Sequence, residues 1–160
     1  MNKRLRRILE QVEVPALAMN KRWDLLAWNR AASNLLFDFL QLQIDERNLL
    51  WLIFTNPTYQ GLFLDWRAVA REKLARFRCD FGCHAGEPRF LELIERLRSR
   101  STEFGEWWTL HEIHRMSPLR GCLRHPLVGR VTMEMLFLDS NLSERGLRCF
   151  YLPRRPIHWL

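Results

Sequence analysis

The spacing of apolar residues changes along the chain, and this change limits the folds that are open to it. Through the first two thirds, apolar residues recur at intervals of three and four, and the stretch 62–77 predicts a long amphipathic helix. From 127 to 138 they alternate, so Met133, Met135 and Phe137 share one face of a predicted strand. Helices that precede a run of strands predict an α+β domain, with helices on one face of an antiparallel sheet.

Turn residues and helix-capping residues indicate where the remaining helices and strands begin and end. The stretches 15–20 and 23–28 predict a β-hairpin, and 147–152 predicts a return strand. Asn29 is a plausible N-cap, and Pro88 suits the first turn of a helix. Helices are further predicted over 3–12, 29–39, 45–55, 88–97 and 101–108, with a loop over 81–86.

The length and composition of the chain indicate a single domain with a sizeable hydrophobic core. The chain has 160 residues, 48% of them apolar, with seven Trp and ten Phe. We expect a helix or linker over 1–13, the main folded domain over 14–153 and a short tail over 154–160. The sequence has neither a signal-peptide pattern nor an apolar run long enough to cross a membrane, so we expect a cytoplasmic protein with reduced thiols.

The net charge of +7 suggests nucleic-acid binding, but its distribution argues against a dedicated basic arm. Of the 25 basic residues 22 are Arg, and they are spread over several segments. The aromatic and Arg content would also suit stacking on single-stranded nucleic acid. Since Trp66 and Phe104 fall at apolar helical positions, core packing is the favoured interpretation for both.

Several motifs approach known catalytic or metal sites without matching them. The stretch His111–His114 resembles the zincin motif, but its histidines are one residue too close together. A composite metal site of Cys79, Cys83, Cys122 and His125 is one hypothesis, and ordinary buried or loop positions are the alternative. The chain has neither a glycine-rich phosphate loop nor a nucleophile elbow, so we expect no enzymatic activity and no metal or cofactor.

A series of segments resembles one family in order and spacing. They are Pro15-Ala16, Trp23–Asn29 with Ala31-Ala32, Arg47–Phe54, Asp65-Trp66 with Ala70-Arg71 and Arg78, Ser101–Phe104 with Trp108, His111 and Ile113, and His125–Gly129. Together they resemble the ligand-binding domain of MmyB-like transcription regulators, over roughly residues 10–155. Thr102 and Gly105 stand where that family often has Pro and Arg.

The resemblance implies a fold, a ligand and an assembly. The implied fold is PAS-like, a five-stranded antiparallel sheet with helices packed over one face. The implied ligand is a fatty acid or a similar apolar small molecule, held between sheet and helices. Such regulators carry an N-terminal helix-turn-helix of the Xre type and are expected to be cytosolic homodimers. Only about ten residues precede the resemblance, so we expect DNA contact only through a helix-turn-helix that this chain lacks.

A fatty-acid site needs apolar walls and a polar anchor for the carboxylate. The predicted walls are Trp28, Leu50, Phe54, Trp66, Met133, Met135, Leu136 and Phe137, and Trp108 is also part of the predicted site. Arg47 and Asn48 are the first candidates for the anchor, because this polar pair opens an otherwise apolar helix. Asn29, His111 and His125 complete the predicted site. Each of these residues also has a structural alternative. The walls could simply pack in the core, the two Asn residues could cap helices, and the His residues could make structural hydrogen bonds.

Three functions follow from these observations. The first is the ligand-sensing domain of a transcription regulator, which binds a fatty acid in an apolar pocket. The alternative is a PAS-like dimerisation or interaction module whose core is filled and takes no small molecule. The third is a metal-dependent enzyme built on the cysteines and His125.

Overall fold

The computed structural model describes residues 3–110, 119–139 and 147–153. The helices are α1 Lys3–Leu9, α2 Arg30–Leu35, α3 Leu49–Thr55, α4 Pro57–Gly61, α5 Trp66–Cys83, α6 Pro88–Arg100 and α7 Thr102–Thr109, with 3-10 turns at Phe39–Gln41 and Ile44–Glu46. The strands are β1 Ala16–Met19, β2 Leu25–Trp28, β3 Leu119–His125, β4 Gly129–Asp139 and β5 Leu147–Pro153.

The strands pair antiparallel in the order β2-β1-β5-β4-β3. Two hairpins, β1–β2 and β3–β4, are therefore joined side by side through β5. Leu17 lies opposite Trp28 in the first hairpin, and Leu123 lies opposite Val131 in the second. The predicted hairpin near the start of the chain and the predicted return strand are confirmed.

The predicted fold class needs correction, because helices are not confined to one face of the sheet. Ala16, Ala18 and Ala27 form a separate buried cluster with Leu9 of α1. Since successive side chains of a strand point to opposite faces, Leu17 joins the main core on the other face. The small alanine side chains allow α1 to approach the sheet closely. The five strands pair in one sheet, but the expected PAS-like arrangement with helices over one face is wrong. Helices also outweigh strands in the described residues.

Several helix boundaries differ from the sequence prediction: α1 and α2 end earlier than predicted, at Leu9 and Leu35, and α5 begins later, at Trp66. Helix α5 continues to Cys83, so the loop predicted from residue 81 begins later, and Gly82 is accommodated in the last helical turn. Helix α3 begins at Leu49, because the Asn48 side chain caps it there. Pro88 does occupy the first turn of α6, as predicted.

One strand that the sequence did not predict is β3, and it pairs on both sides. Beyond its ladder with β4, the carbonyl of Cys122 accepts from the amide of Leu64 at 2.9 Å. The amide of Arg124 donates to the carbonyl of Leu62 at 2.8 Å. The segment between α4 and α5 therefore occupies part of the outer edge of β3.

The start of β2, at the opposite edge of the sheet, is also bonded to a neighbouring segment. The amide of Leu25 donates to the carbonyl of Arg47 at 2.7 Å, and the amide of Leu49 donates to the carbonyl of Trp23 at 2.9 Å. These bonds fix the start of α3 against the hairpin turn. Trp23 is fully buried and has a positive φ of 69°, a backbone conformation that L residues rarely adopt.

None of the helices in the described part of the chain combines the length and the apolar character that a membrane span requires.

Candidate ligand-binding site

Five of the predicted wall residues lie in one buried apolar cluster, and four of them come from α3 and β4. Leu50 and Phe54 come from α3, and Met133 and Met135 come from alternate positions of β4. Their exposed fractions are 0%, 4%, 2% and 8%, so all four face the interior. The cluster fills the space between the helices and the face of the sheet opposite α1. The strand alternation that predicted a shared face for the two methionines is confirmed.

Aromatic rings from α3, α5 and α7 form one end of this cluster. Phe54 makes edge contacts with Phe104 and Trp107, with ring centroids 5.1 and 5.8 Å apart. Trp108 stacks on Phe104 at 5.6 Å, and Trp66 lies 6.3 Å from Trp107. The predicted site residues Trp66 and Trp108 are only partly buried, so they border the core. Leu136 of β4, which was also predicted as a wall, is 45% exposed and does not belong to the cluster.

Arg78 of α5 closes the end of α7. Its guanidinium donates to the carbonyls of Trp107, Trp108 and Leu110, the last two at 3.1 and 2.7 Å. It also lies over the Trp108 ring at 5.6 Å. Carbonyls at the end of a helix lack partners within the helix, so a cation placed there stabilises the end. Arg78 belongs to the segments that resemble the family, but the sequence alone indicates no contact for it.

Lys73 is a buried charged residue that the sequence analysis did not predict. Its side chain is fully buried, and its Nζ lies 3.6 Å from Sδ of Met135. Lys73 follows Val69 by four residues and precedes Phe77 by four, and both of those are buried in the same cluster. That helical spacing was the available signal, because it puts Lys73 on the apolar face of α5.

The predicted anchor residues Arg47 and Asn48 lie at the start of α3. Their described contacts are with other parts of the protein. Asn48 is 1% exposed, and its Oδ1 accepts from the amides of Leu50 and Trp51, each at 3.0 Å. Its Nδ2 donates to Arg22 O at 2.8 Å and to Asp24 Oδ1 at 3.0 Å.

The Arg47 guanidinium binds backbone oxygens as well. Its Nε donates to Leu42 O at 3.2 Å, and a terminal nitrogen donates to Leu40 O at 3.4 Å. It also lies over the Trp28 ring at 5.9 Å. Anchoring of a ligand by Arg47 and Asn48 stays a prediction, whereas capping of α3 by Asn48 is confirmed.

Asn29 holds three segments of backbone together. Its Oδ1 accepts from the amides of Ala16 and Ala32, at 3.0 and 2.9 Å. Its Nδ2 donates to the carbonyls of Val12 and Val14, at 2.9 and 2.8 Å. The predicted N-cap of α2 is confirmed, and the same side chain also fixes the linker between α1 and β1.

Trp28 of β2 is the fifth predicted wall residue in this buried cluster. Its ring makes an edge contact with Phe39 at 5.3 Å. Trp28 and Asn29 also border a surface cleft of about 480 Å³. The other residues that line the cleft are Arg6, Glu10, Arg30, Ser33 and Leu40.

His125 fixes the turn between β3 and β4. Its Nδ1 accepts from the amides of Leu127 and Val128, at 3.2 and 3.3 Å, so its Nε2 carries the proton and donates to Asn34 O at 2.8 Å. The described contacts of His125 are therefore with the backbone. His111 and the side chain of Phe137 lie outside the described residues.

The hypothetical metal cluster is not assembled in the described part of the chain. Cys79 and Cys83 are exposed on α5, Cys122 is partly buried on β3, and these three thiols are free. Among the described residues, no group of three or more His, Cys, Asp or Glu side chains could hold a metal ion.

The family model described as the MmyB-like transcription regulator ligand binding domain matches residues 1–154. The chain belongs to this family. No curated protein matches it.

Membership of the MmyB-like family establishes the general function. The chain is the ligand-binding domain of a transcription regulator, and this family is not typically catalytic. The match begins at residue 1 and so includes α1, which packs on the sheet through Leu9. The apolar cluster between α3, α5, α7 and β4 is the part of this MmyB-like domain that contains most of the predicted walls.

Proposed function

We propose that this domain senses a fatty acid or a similar apolar acid, bound between the helices and β4. The observation that carries the proposal is the single apolar cluster that joins Leu50 and Phe54 of α3 to Met133 and Met135 of β4. Family membership supports a small-molecule ligand for this domain. A fatty acid as that ligand, and a homodimer as the regulatory assembly, are part of the proposal.

An alkyl chain suits this region for two physical reasons. Each buried methylene contributes roughly 0.8 kcal/mol to binding, so a long chain supplies substantial affinity without many polar contacts. Methionine is unbranched and repacks at low cost, so Met133 and Met135 can move aside to admit the chain. The aromatic rings of Phe54 and Trp107 then provide a rigid wall at one end.

Regulation follows if the ligand binds one arrangement of the domain more tightly than another. A ligand shifts an equilibrium only by its differential affinity for the two states. The alkyl chain would separate α3 and α5 from β4. The packing of the partly buried Trp66 and Trp108, at the border of the cluster, would then change. A homodimer would transmit such a change between its two subunits.

The proposal is tested by mass spectrometry of lipid extracted from the purified protein, followed by titration of delipidated protein with dodecanoate. We expect saturable binding and an extracted fatty acid. Met135→Phe should weaken binding because the larger ring fills the slot. Leu136→Phe is the matched control, since Leu136 is the next residue on β4, is 45% exposed and faces away from the cluster. Equal binding by both variants, or none by the unmodified protein, would contradict the proposal.

A second candidate function is an interaction module with a filled core. It is favoured by the close burial of Trp28, Phe54 and Met133, which are 6%, 4% and 2% exposed in the same cluster. In that case the protein purifies without lipid, takes up no dodecanoate and still forms dimers in sedimentation experiments.

A further inference from the structure

We propose that the outer face of the sheet binds the phosphate backbone of duplex DNA without reading its sequence. The residues that define this basic face come from α1 and from the β3–β4 hairpin, and they are Lys3, Arg4, Arg6, Arg7, Arg124 and Arg130. The basic face lies on the side of the sheet opposite the apolar cluster, so the proposal goes beyond the ligand site and does not depend on what that site binds.

Helix α1 and the hairpin lie on the same side of the sheet. Ala16 of β1 packs with Leu9 of α1. In the ladder Ala16 is opposite Phe150, which is in turn opposite Leu136 of β4. Because residues directly opposite each other in an antiparallel ladder share a face, Leu136 marks the face on which α1 packs. The side chain of Leu136 is 45% exposed, so this part of the face is open.

Arg124 and Arg130 belong to this outer face. Along β4, the buried Val131 alternates with the exposed Arg130 and Thr132. On β3, Arg124 is also exposed and lies directly opposite Arg130. Like charges in that position destabilise a sheet, and neither arginine forms an ion pair with the described residues. The fold therefore holds two repelling guanidinium groups side by side at the surface.

Helix α1 adds four exposed cations to the same side, Lys3, Arg4, Arg6 and Arg7. The first turn of α1 contains no acidic residue. Arg6 pairs with Glu10 at 2.6 Å, but these side chains are 52% and 44% exposed. Such surface pairs contribute little free energy, so Arg6 can exchange Glu10 for a phosphate group.

The described chain between these two basic segments is close to neutral. Residues 14–110 carry 13 basic and 12 acidic side chains, whereas residues 3–10 and 121–136 together carry six basic and two acidic ones. Within 14–110, Arg67 pairs with Glu103 at 3.1 Å and Arg96 pairs with Asp45 at 2.9 Å. The basic segments are far apart in the sequence, and the fold brings them to one side of the sheet.

The DNA backbone is the partner that this charge arrangement favours. Duplex DNA presents about one negative charge per 1.7 Å of its axis, so it can meet several separated cations at once. Five of the six residues that define the basic face are Arg, whose planar fork matches phosphate oxygens. The domain also belongs to a transcription regulator, which acts at DNA. Contacts to phosphates carry no sequence information, so the face adds affinity rather than specificity.

Fluorescence anisotropy of a labelled duplex of about 20 base pairs tests the proposal on the full chain, between about 50 and 200 mM salt. Binding should weaken steeply as salt rises, because each phosphate contact contributes about 0.9 to the slope of log affinity against log salt. Two duplexes of unrelated sequence should bind alike.

Substitutions in the two segments measure their separate contributions. Arg7→Gln should reduce the magnitude of the salt slope by about 1, and the double replacement of Arg124→Gln with Arg130→Gln should reduce it by about 2. Both variants should weaken the binding of the two duplexes equally. The double variant should keep its Tm, because it removes a repulsion from the hairpin.

The matched control is the double replacement of Arg89→Gln with Arg100→Gln. These exposed arginines lie at the two ends of α6, whose buried residues pack in the apolar cluster. The control changes the net charge as much as the hairpin variant does, and it should bind DNA like the unmodified protein. An equal loss in both would show that only total charge matters and would overturn the basic face.

Three further results would overturn the proposal. They are no DNA binding at about 50 mM salt, an unchanged salt slope in the hairpin variant, and tighter binding to phosphatidylglycerol vesicles than to DNA in the same buffer. The last result would identify the face as a lipid-binding surface. Dodecanoate binding is measured in a separate titration, so failure of either proposal leaves the other standing.

Discussion

Replacement of Asn29 by alanine should destabilise the fold far more than the loss of an ordinary helix cap. The side chain makes four hydrogen bonds of 3.0 Å or less, to the amides of Ala16 and Ala32 and to the carbonyls of Val12 and Val14. At roughly 0.5–1.5 kcal/mol for each bond, and with buried backbone groups left without partners, Asn29→Ala should cost about 3–5 kcal/mol. For a chain of this size, that corresponds to a fall in Tm of roughly 6–20 °C.

The matched control is Asn56→Ala. Asn56 also caps a helix, but its side-chain oxygen accepts from a single amide, that of Tyr59 at 2.9 Å. Its loss should cost about 1 kcal/mol, the usual effect of removing an N-cap. Asn29→Ser should fall between the two, because a hydroxyl retains the cap of α2 but cannot reach the linker between α1 and β1.

The assay is chemical denaturation followed by far-UV circular dichroism, with a thermal melt of the same samples. The three variants should rank Asn29→Ala, Asn29→Ser and Asn56→Ala from most to least destabilised. If Asn29→Ala costs no more than Asn56→Ala, the argument that Asn29 holds three segments together is refuted.

Three further side chains make bonds whose loss can be measured in the same assay. His125→Ala should cost about 1–3 kcal/mol, because it frees the turn amides at the end of β3. His84→Ala removes a contact with Glu87 and a ring stack on Phe90 but frees no backbone amide, so it should cost less than His125→Ala. Asp80→Ala should cost about 1.5–3 kcal/mol through loss of the 2.7 Å bond from Trp23 Nε1, and Asp80→Asn, which keeps an acceptor, should cost less; equal costs would contradict a direct bond. Arg78→Met should cost about 1.5–3 kcal/mol, because it removes the charged donor to the carbonyls at the end of α7, and a neutral result would show that these bonds are dispensable.

Features that depend on neighbours in sequence could be predicted from the sequence. The β1–β2 hairpin, the cap at Asn29 and Pro88 in the first turn of α6 all rest on residues a few positions apart. The strand character of β4 was visible because one of its faces is uniformly apolar.

Features that depend on distant contacts could not be predicted in this way. Strand β3 contains Arg120 and Gly121 and lacks clear alternation, and its outer pairing comes from a segment some sixty residues earlier. The packing of α1 on the sheet depends on alanines whose small size gives no periodic signal. The helical spacing of Lys73 puts it on the apolar face of α5, where it is fully buried. Because lysine is almost never fully buried, its residue type instead predicted a position on the solvent-exposed face.

The bonds at the two sides of the sheet also bear on how copies of this domain can meet. An open edge strand is a template on which another chain can add a strand, and such addition leads to domain swapping or amyloid. Here the amide of Leu64 and the carbonyl of Leu62 already occupy positions along β3, and the carbonyl of Arg47 occupies the start of β2. At those positions a second copy finds no vacant partner, so self-association there has to proceed through side-chain surfaces. An assembly of that kind can be tuned by single surface substitutions without disturbing the hydrogen-bond ladders inside each subunit.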